Sequence, residues 1–185
     1  TVLITGTSSG IGKASAQYFS RQGWNVAATM RSPQKDEEVK HLKNTKVYAL
    51  DVTDAGSIDA ALAAAVRDFG KIDAVVNNAG FGVDGVFEAM SDEVIQKQFD
   101  TNVFGLMRLT RAAIPLMRNQ GGGHIIQVTS MGGKLAFPLY SIYHGTKWAV
   151  EGFSESLHYE LKPFGIRVKI VEPGAINTNF STSSR

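Results

Sequence analysis

A chain of 185 residues, 43% hydrophobic and 19% charged, suits one domain with a sizeable buried core. Its 19 Lys and Arg against 17 Asp and Glu leave a formal charge of +2, too weak a field to argue for nucleic acid or a membrane surface. The absence of cysteine excludes disulfides, Cys-ligated zinc, iron–sulfur clusters and thiol nucleophiles. No apolar run reaches the length of a membrane span, and Thr1–Gly6 has none of the regions of a signal peptide, so a soluble, cytoplasmic protein is expected.

Short β-branched runs alternate with segments of helical period, which predicts βαβ units in an α/β fold around a mostly parallel sheet. The first strand, Val2–Thr5, runs into Gly6-Thr7-Ser8-Ser9-Gly10-Ile11-Gly12 and a helix over 11–22. A strand, a glycine turn and a helix N-terminus in that order aim free N–H groups at an anion, so this loop is a candidate pyrophosphate cradle. Its spacing, Gly-x3-Gly-x-Gly, matches neither the common dinucleotide fingerprint nor a P-loop, and a purely structural turn is the alternative.

The second strand, Asn25–Thr29, leads to Met30-Arg31 with no acid before Asp36. NAD sites of this architecture usually place a carboxylate there, whereas an arginine suits a 2′-phosphate, so Arg31 favours NADP over NAD. Segment 32–44 is the most charged and is expected to be a solvated helix or loop. A strand at Lys46–Leu50 precedes a helix over 55–69, capped by Asp54 or Ser57 and stopped by Gly70. After a strand at Ala74–Asn77, the helical stretch 91–119 should divide into two helices, and Pro115 should kink or break it. A strand at His124–Thr129, a helix over 141–162 stopped by Gly165, and a strand at Arg167–Val171 complete the pattern. The polar Asn177–Arg185 reads as the start of a loop.

Tyr143 and Lys147 are four residues apart, so on a helix they stand about 40° from each other, one turn apart. An ammonium beside a phenol stabilises the phenolate. The ordinary tyrosine pKa near 10 would have to fall to about 7 for acid/base work at neutral pH, and a lysine with a cationic nicotinamide would supply much of that. Ser130 stands at the carboxyl end of its strand, where open α/β sheets bind ligands, and its hydroxyl could bond a carbonyl oxygen that gains charge. Thr129 and Ser141 are its rivals.

With these residues in order, the chain resembles the short-chain dehydrogenase/reductase family in its compact single-domain branch. The motifs are Thr5-Gly6-x3-Gly10-Ile11-Gly12, Asp51-Val52, Asn77-Asn78-Ala79-Gly80, Asn102, Ser130, Tyr143-x3-Lys147 and Pro173-Gly174-x3-Thr178. The resemblance implies a Rossmann-like, doubly wound parallel sheet in strand order 3-2-1-4-5-6, spanning residues 1–185 as one domain. It also implies that a seventh strand and a substrate lid are missing and that the chain is truncated at both ends.

The same resemblance implies a role for each position. Tyr143 would be the general acid/base, Lys147 would bind the nicotinamide ribose and lower the tyrosine pKa, Ser130 would orient the carbonyl, and Asn102 would hold a water of the proton relay. Gly6, Ser8, Ser9, Gly10, Ile11 and Gly12 would line the pyrophosphate, and Asp51 and Val52 the adenine. Asn78, Ala79 and Gly80 would support the sheet and cofactor, while Pro173, Gly174, Ile176 and Thr178 would face the nicotinamide. The implied partners are a small carbonyl or alcohol substrate, apolar if the loop 131–140 with Phe81 and Val83 lines its pocket, and further copies in a homodimer or homotetramer.

The four histidines show no ligand spacing, so no metal is expected. His144 is expected to be a packing or rim residue, because neighbours on a helix point about 100° apart. Glu151, Glu155 and Glu160 are expected on the solvated or subunit-facing side of their helix. A catalytically silent nucleotide sensor of the same fold and an NAD-dependent alcohol dehydrogenase remain as alternatives.

Overall fold

The computed structural model describes residues 1–178. Six strands, β1 (Val2–Thr5), β2 (Val26–Met30), β3 (Thr45–Ala49), β4 (Ala74–Asn77), β5 (Gly123–Val128) and β6 (Ile166–Val171), form one sheet in the order β3-β2-β1-β4-β5-β6. Every pairing is parallel. This is the Rossmann-like α/β order, with the crevice at the carboxyl ends of β1 and β4, where the strand order reverses.

Alternation along the strands separates two apolar layers. Val2, Ile4, Val26, Ala28 and Val76 share one cluster with Ala16 of α1 (Gly10–Arg21). Leu3, Ala27, Val75 and Ile125 face the other way, onto α2 (Ala55–Phe69), α4 (Leu106–Asn119) and α5 (Ser141–Leu161). The central strands are buried on both faces, which is why they read as continuous apolar runs. Asp54 caps α2, its carboxylate accepting from the N–H groups of Gly56 and Ser57, and Gly70 ends it at φ 82°. Ser57 instead accepts from the Asp51 N–H at 2.9 Å.

The stretch 91–119 divides into two helices as expected, but the division does not fall at Pro115. The stretch comprises α3 (Asp92–Phe99), a π-helical turn over Asp100–Gly105 and α4, and α4 continues through Pro115. The departure from regular helix therefore comes at Asn102, ahead of the proline.

Segment 32–44 is also less solvated than its charge suggests. Asp36 is buried and accepts from the N–H groups of Glu38, Val39 and Lys40, while Val39 enters the core. Three donors converging on one carboxylate compensate its burial and hold its pKa below the usual value. Residues 179–185, most of the C-terminal segment read as a loop, lie outside the described residues. Among the described residues no helix is long and apolar enough to cross a membrane, and no three His, Asp or Glu side chains are grouped to hold a metal ion.

Candidate functional site

Thr5 ties the first glycine loop to the turn after β4. Its hydroxyl accepts from the N–H groups of Asn78 and Ala79, both at 2.9 Å, and the Asn78 amide returns a bond to the Thr5 carbonyl at 2.8 Å. A Cβ at Gly12 would lie 2.2 Å from the Gly6 carbonyl oxygen and 2.5 Å from Asn78 Nδ2, so only glycine lets α1 begin this close to the loop. Gly6 and Gly10 adopt φ of 71° and 54°, the region glycine enters without strain. Ser9 makes no capping side-chain bond and the first turn of α1 carries no acid, so this N-terminus keeps its attraction for an anion. Ser8 and Ser9 are exposed beside it.

Arg31 is exposed after β2 and lines a cavity of about 340 Å³ with Ser8, Lys13, Ser32, Lys35 and the acids Asp36, Glu37 and Glu38. Its charge reaches Asp51. Against a desolvation that works the other way, bonds from the Thr53 N–H and hydroxyl together with Arg31 hold the Asp51 carboxyl below its usual pKa. Val52 commits its side chain to the core, where a Cβ on Gly105 would meet it at 2.7 Å. Any ligand contact by Val52 therefore runs through its main chain.

The Asn102 side chain is fully engaged. Its Oδ1 accepts from the Phe81 N–H at 3.1 Å, and its Nδ2 donates to the Phe81 carbonyl at 2.7 Å and to Thr146 Oγ1 at 3.2 Å. Gln98, one turn earlier and fully buried, donates to the same Phe81 carbonyl. The Thr146 hydroxyl in turn donates to the Tyr143 carbonyl at 2.7 Å. Gln98 and Thr146 were not singled out in the sequence, although the Gln98/Asn102 spacing of four is a signal that two amides share one target.

Of the three candidates for the hydroxyl, the fold separates one. Thr129 turns into the sheet and donates to the Val171 carbonyl, Ser141 is exposed at the start of α5, and Ser130 hydrogen-bonds the Tyr143 phenol. Ser130 Oγ also accepts from the Gly132 N–H at 3.0 Å. Lys147 is buried, donates to the Val128 carbonyl at 3.0 Å, and has its Nζ 5.7 Å from the centre of the Tyr143 ring.

The expected lowering of the tyrosine pKa is not produced by the chain alone. Burial raises it above the ordinary value, the Ser130 bond opposes that rise and Tyr140 adds to it. Burial lowers Lys147 to about 8, the Glu151 carboxylate working against the fall. Glu151 corrects the sequence expectation: it is buried, with Lys134 Nζ 3.1 Å from its carboxylate, while Glu155 and Glu160 are exposed.

The last motif closes over the first. Pro173 accepts from the Met131 N–H at 2.9 Å, Gly174 lies beside Met131, and Thr178 lies beside Gly10. Ile176 is exposed. Two loops are joined by a bond from the Gly85 N–H to the Leu139 carbonyl at 2.9 Å and carry the exposed apolar residues Val86, Phe87, Leu135, Phe137 and Leu139.

This arrangement, strand ends holding a glycine cradle beside a Ser, Tyr and Lys cluster, agrees with the comparisons. The family model of short chain dehydrogenases matches residues 1–185, and the chain belongs to that family. It is 38% identical over 180 residues to a 3-ketodihydrosphingosine reductase from Bacteroides thetaiotaomicron, across 97% of this chain and 65% of that protein. The 3-ketoacyl-(acyl-carrier-protein) reductase from Brucella melitensis complexed with NADH superposes with a TM-score of 0.94 at 32% identity, over 99% of this chain and 78% of that one. ElxO with NADP bound gives 0.90 at 33% identity, over 96% and 74%. The chain spans 64 to 65% of the length of the first curated relatives it matches.

Proposed function

We propose that this chain carries the cofactor-binding and catalytic residues of an NADP-dependent oxidoreductase that interconverts an apolar ketone and its secondary alcohol, with Tyr143 as general acid/base. The observation that carries the reading is the bond between the Ser130 hydroxyl and the Tyr143 phenol, one helical turn from a buried Lys147 ammonium, at the strand ends where α/β sheets bind ligands. Two relatives are named as reductases of 3-keto compounds, which agrees with a ketone substrate.

The glycine loop fits a dinucleotide. The space a Cβ of Gly12 would fill is already closed by the Gly6 carbonyl, the helix N-terminus beside it carries no acid, and Arg31, Lys13 and Lys35 line a cavity near it. Gly6, Ser8, Ser9, Gly10, Ile11 and Gly12 would hold the pyrophosphate, Arg31 the 2′-phosphate, and Asp51 and Val52 the adenine. Asn78, Ala79 and Gly80 with Pro173, Gly174, Ile176 and Thr178 would flank the nicotinamide, whose bound form supplies the hydride.

The chain's own part is the proton. Ser130 Oγ accepts from Gly132, and its one proton, directed at the Tyr143 phenol in the structure, would turn to a substrate carbonyl oxygen as negative charge develops there. Tyr143, kept protonated by burial, gives its phenolic proton to that oxygen in the direction of reduction. Lys147, at about 8, is still mostly charged at neutral pH and stabilises the phenolate left behind. Asn102 has both ends of its amide occupied, so its share in a water relay falls to its main chain within the π turn.

The exposed Trp148, Tyr159 and Phe104 on the outer faces of α5 and the π turn support a homodimer or homotetramer, which light scattering tests. For the chemistry the test is Tyr143→Phe, expected to keep NADPH affinity and lose about a hundred- to ten-thousandfold in turnover. Near-full activity in that variant rejects the mechanism.

A further inference from the structure

His144, next in sequence to Tyr143, is buried, and both of its ring nitrogens are engaged. Nδ1 lies 2.7 Å from the Gly132 carbonyl, and Nε2 accepts from the Phe137 N–H at 2.8 Å. A main-chain N–H can only donate, so Nε2 carries a lone pair and the proton sits on Nδ1, pointing at Gly132. The imidazole is enclosed by the rings of Phe137, Tyr140 and Tyr143, with centroids 5.6, 6.1 and 6.1 Å away. On its remaining side a Cβ at Gly132 would come within 2.8 Å of Nδ1, so the glycine there is the space the ring occupies.

Gly132 is thereby held at both ends of its main chain. Its carbonyl accepts from His144, and its N–H donates to Ser130 Oγ, which bonds the Tyr143 phenol. The Gly132 carbonyl shares its peptide group with the Gly133 N–H, which donates to the Ser130 carbonyl at 2.8 Å, so the His144 bond strengthens that one, and its hold on Ser130 Oγ comes from fixing the position of the Gly132 N–H. The second nitrogen fixes the Phe137 main chain, and the Phe137 ring is one of the exposed apolar side chains on the two joined loops.

Resting on the oxidoreductase reading above, we propose that His144 is a positioning residue with two separable functions: Nδ1 orients the Ser130 hydroxyl through Gly132, and Nε2 sets, through Phe137, the apolar loop surface that meets the substrate. It touches neither substrate nor cofactor. It acts only through the loop 131–140.

Two substitutions divide the nitrogens. His144→Asn keeps a donor near the Nδ1 position and has no atom at Nε2, whereas His144→Gln offers an acceptor near Nε2 and loses the short contact with Gly132. With NADPH and 2-octanone as the probe ketone, His144→Gln should lower kcat roughly tenfold with little change in KM, the loss expected for one hydrogen bond. His144→Asn should raise KM several-fold with kcat nearly preserved, and neither should alter NADPH affinity. Equal losses of kcat and KM in the two variants, unchanged kinetics in both, or a parallel fall in NADPH affinity would overturn the proposal.

A readout independent of turnover uses the unsubstituted protein. Long-range proton–nitrogen spectra should show the neutral His144 ring with its proton on Nδ1, and the Phe137 amide should be protected from exchange there and in His144→Gln but not in His144→Asn. A proton on Nε2, or a Phe137 amide that exchanges freely in the unsubstituted protein, overturns the proposal even if the kinetics fail. Absence of turnover in the unsubstituted protein, with the Nδ1 tautomer and Phe137 protection found, counts against the oxidoreductase reading and supports the His144 contacts.

Discussion

Lys147 donates its ammonium proton to the main-chain carbonyl of Val128, the last residue of β5, at 3.0 Å. The bond anchors α5 to the strand end that precedes Ser130, and it places a cation inside the protein. Burial lowers the Lys147 pKa from its ordinary 10.5 to about 8. Below pH 8 both folded and unfolded chains hold the proton, so the full penalty of burying the charge is present. Between 8 and 10.5 the folded chain releases it first, the unfolded chain binds more protons, and stability rises with pH. Lys147→Met should therefore be the more stable form at pH 7 by up to about 3 kcal/mol, while losing turnover. Urea unfolding of both forms from pH 7 to 10.5 should show the gap closing.

The contact between Gly12 and the Gly6 carbonyl makes a second expectation. Gly12→Ala would force a Cβ to 2.2 Å from that oxygen, which either separates α1 from the loop or strains both. The expected cost is about 1–3 kcal/mol or more, with loss of cofactor binding. Thermal melts and NADPH titration of the variant measure the two effects.

Arg31 bears on cofactor choice alone. Arg31→Ala removes a cation from the cavity it shares with Lys13 and Lys35, and NADPH affinity should fall by about ten- to a hundredfold, the range of a charge-assisted bond, with NADH affinity unchanged. Fluorescence titration with both cofactors decides it. Tighter NADH than NADPH binding in the unsubstituted protein would refute the role of Arg31.

Gly152 makes the opposite case from Gly12. It lies within α5, is exposed, and a Cβ built on it meets nothing within 4 Å among the described residues. In the isolated chain Gly152→Ala should stabilise the fold by about 0.5–1 kcal/mol through the lower conformational entropy of the unfolded chain, whereas a loss of stability would place Gly152 in the subunit contact proposed for Trp148 and Tyr159. Denaturant titration is the check.

The strands were legible to within a residue or so at each end, because β-branched runs between glycine turns carry little ambiguity. The glycine loop, Ser130, Tyr143 and Lys147 stood out through the family resemblance, since spacing alone left a structural turn as the alternative for the loop and Thr129 and Ser141 as rivals of Ser130. Contacts made across the fold were not legible. Glu151 reads as a solvated acid on its own helix, and only the approach of the loop bearing Gly133 and Lys134 buries it. Asp36 reads as one charge among many until three main-chain N–H groups turn toward it. Pro115 reads as a kink or break, yet α4 runs through it, and the departure from regular helix comes at Asn102, whose side chain pairs with the distant Phe81 main chain.

The π turn at Asp100–Gly105 has a consequence for how this region can change. A π turn inserts about one residue into a helix, so everything after it is rotated by about 100° relative to an uninterrupted α-helix. The face of α4 formed by Leu109, Ala113 and Met117 meets the sheet only with that offset in place. Deleting one residue from the turn would restore a regular helix, free the Phe81 main chain from Asn102 and swing these three side chains off the core together. The distortion that presents Asn102 to the site is thus also the phase marker of the helix behind it, and neither can be altered without the other.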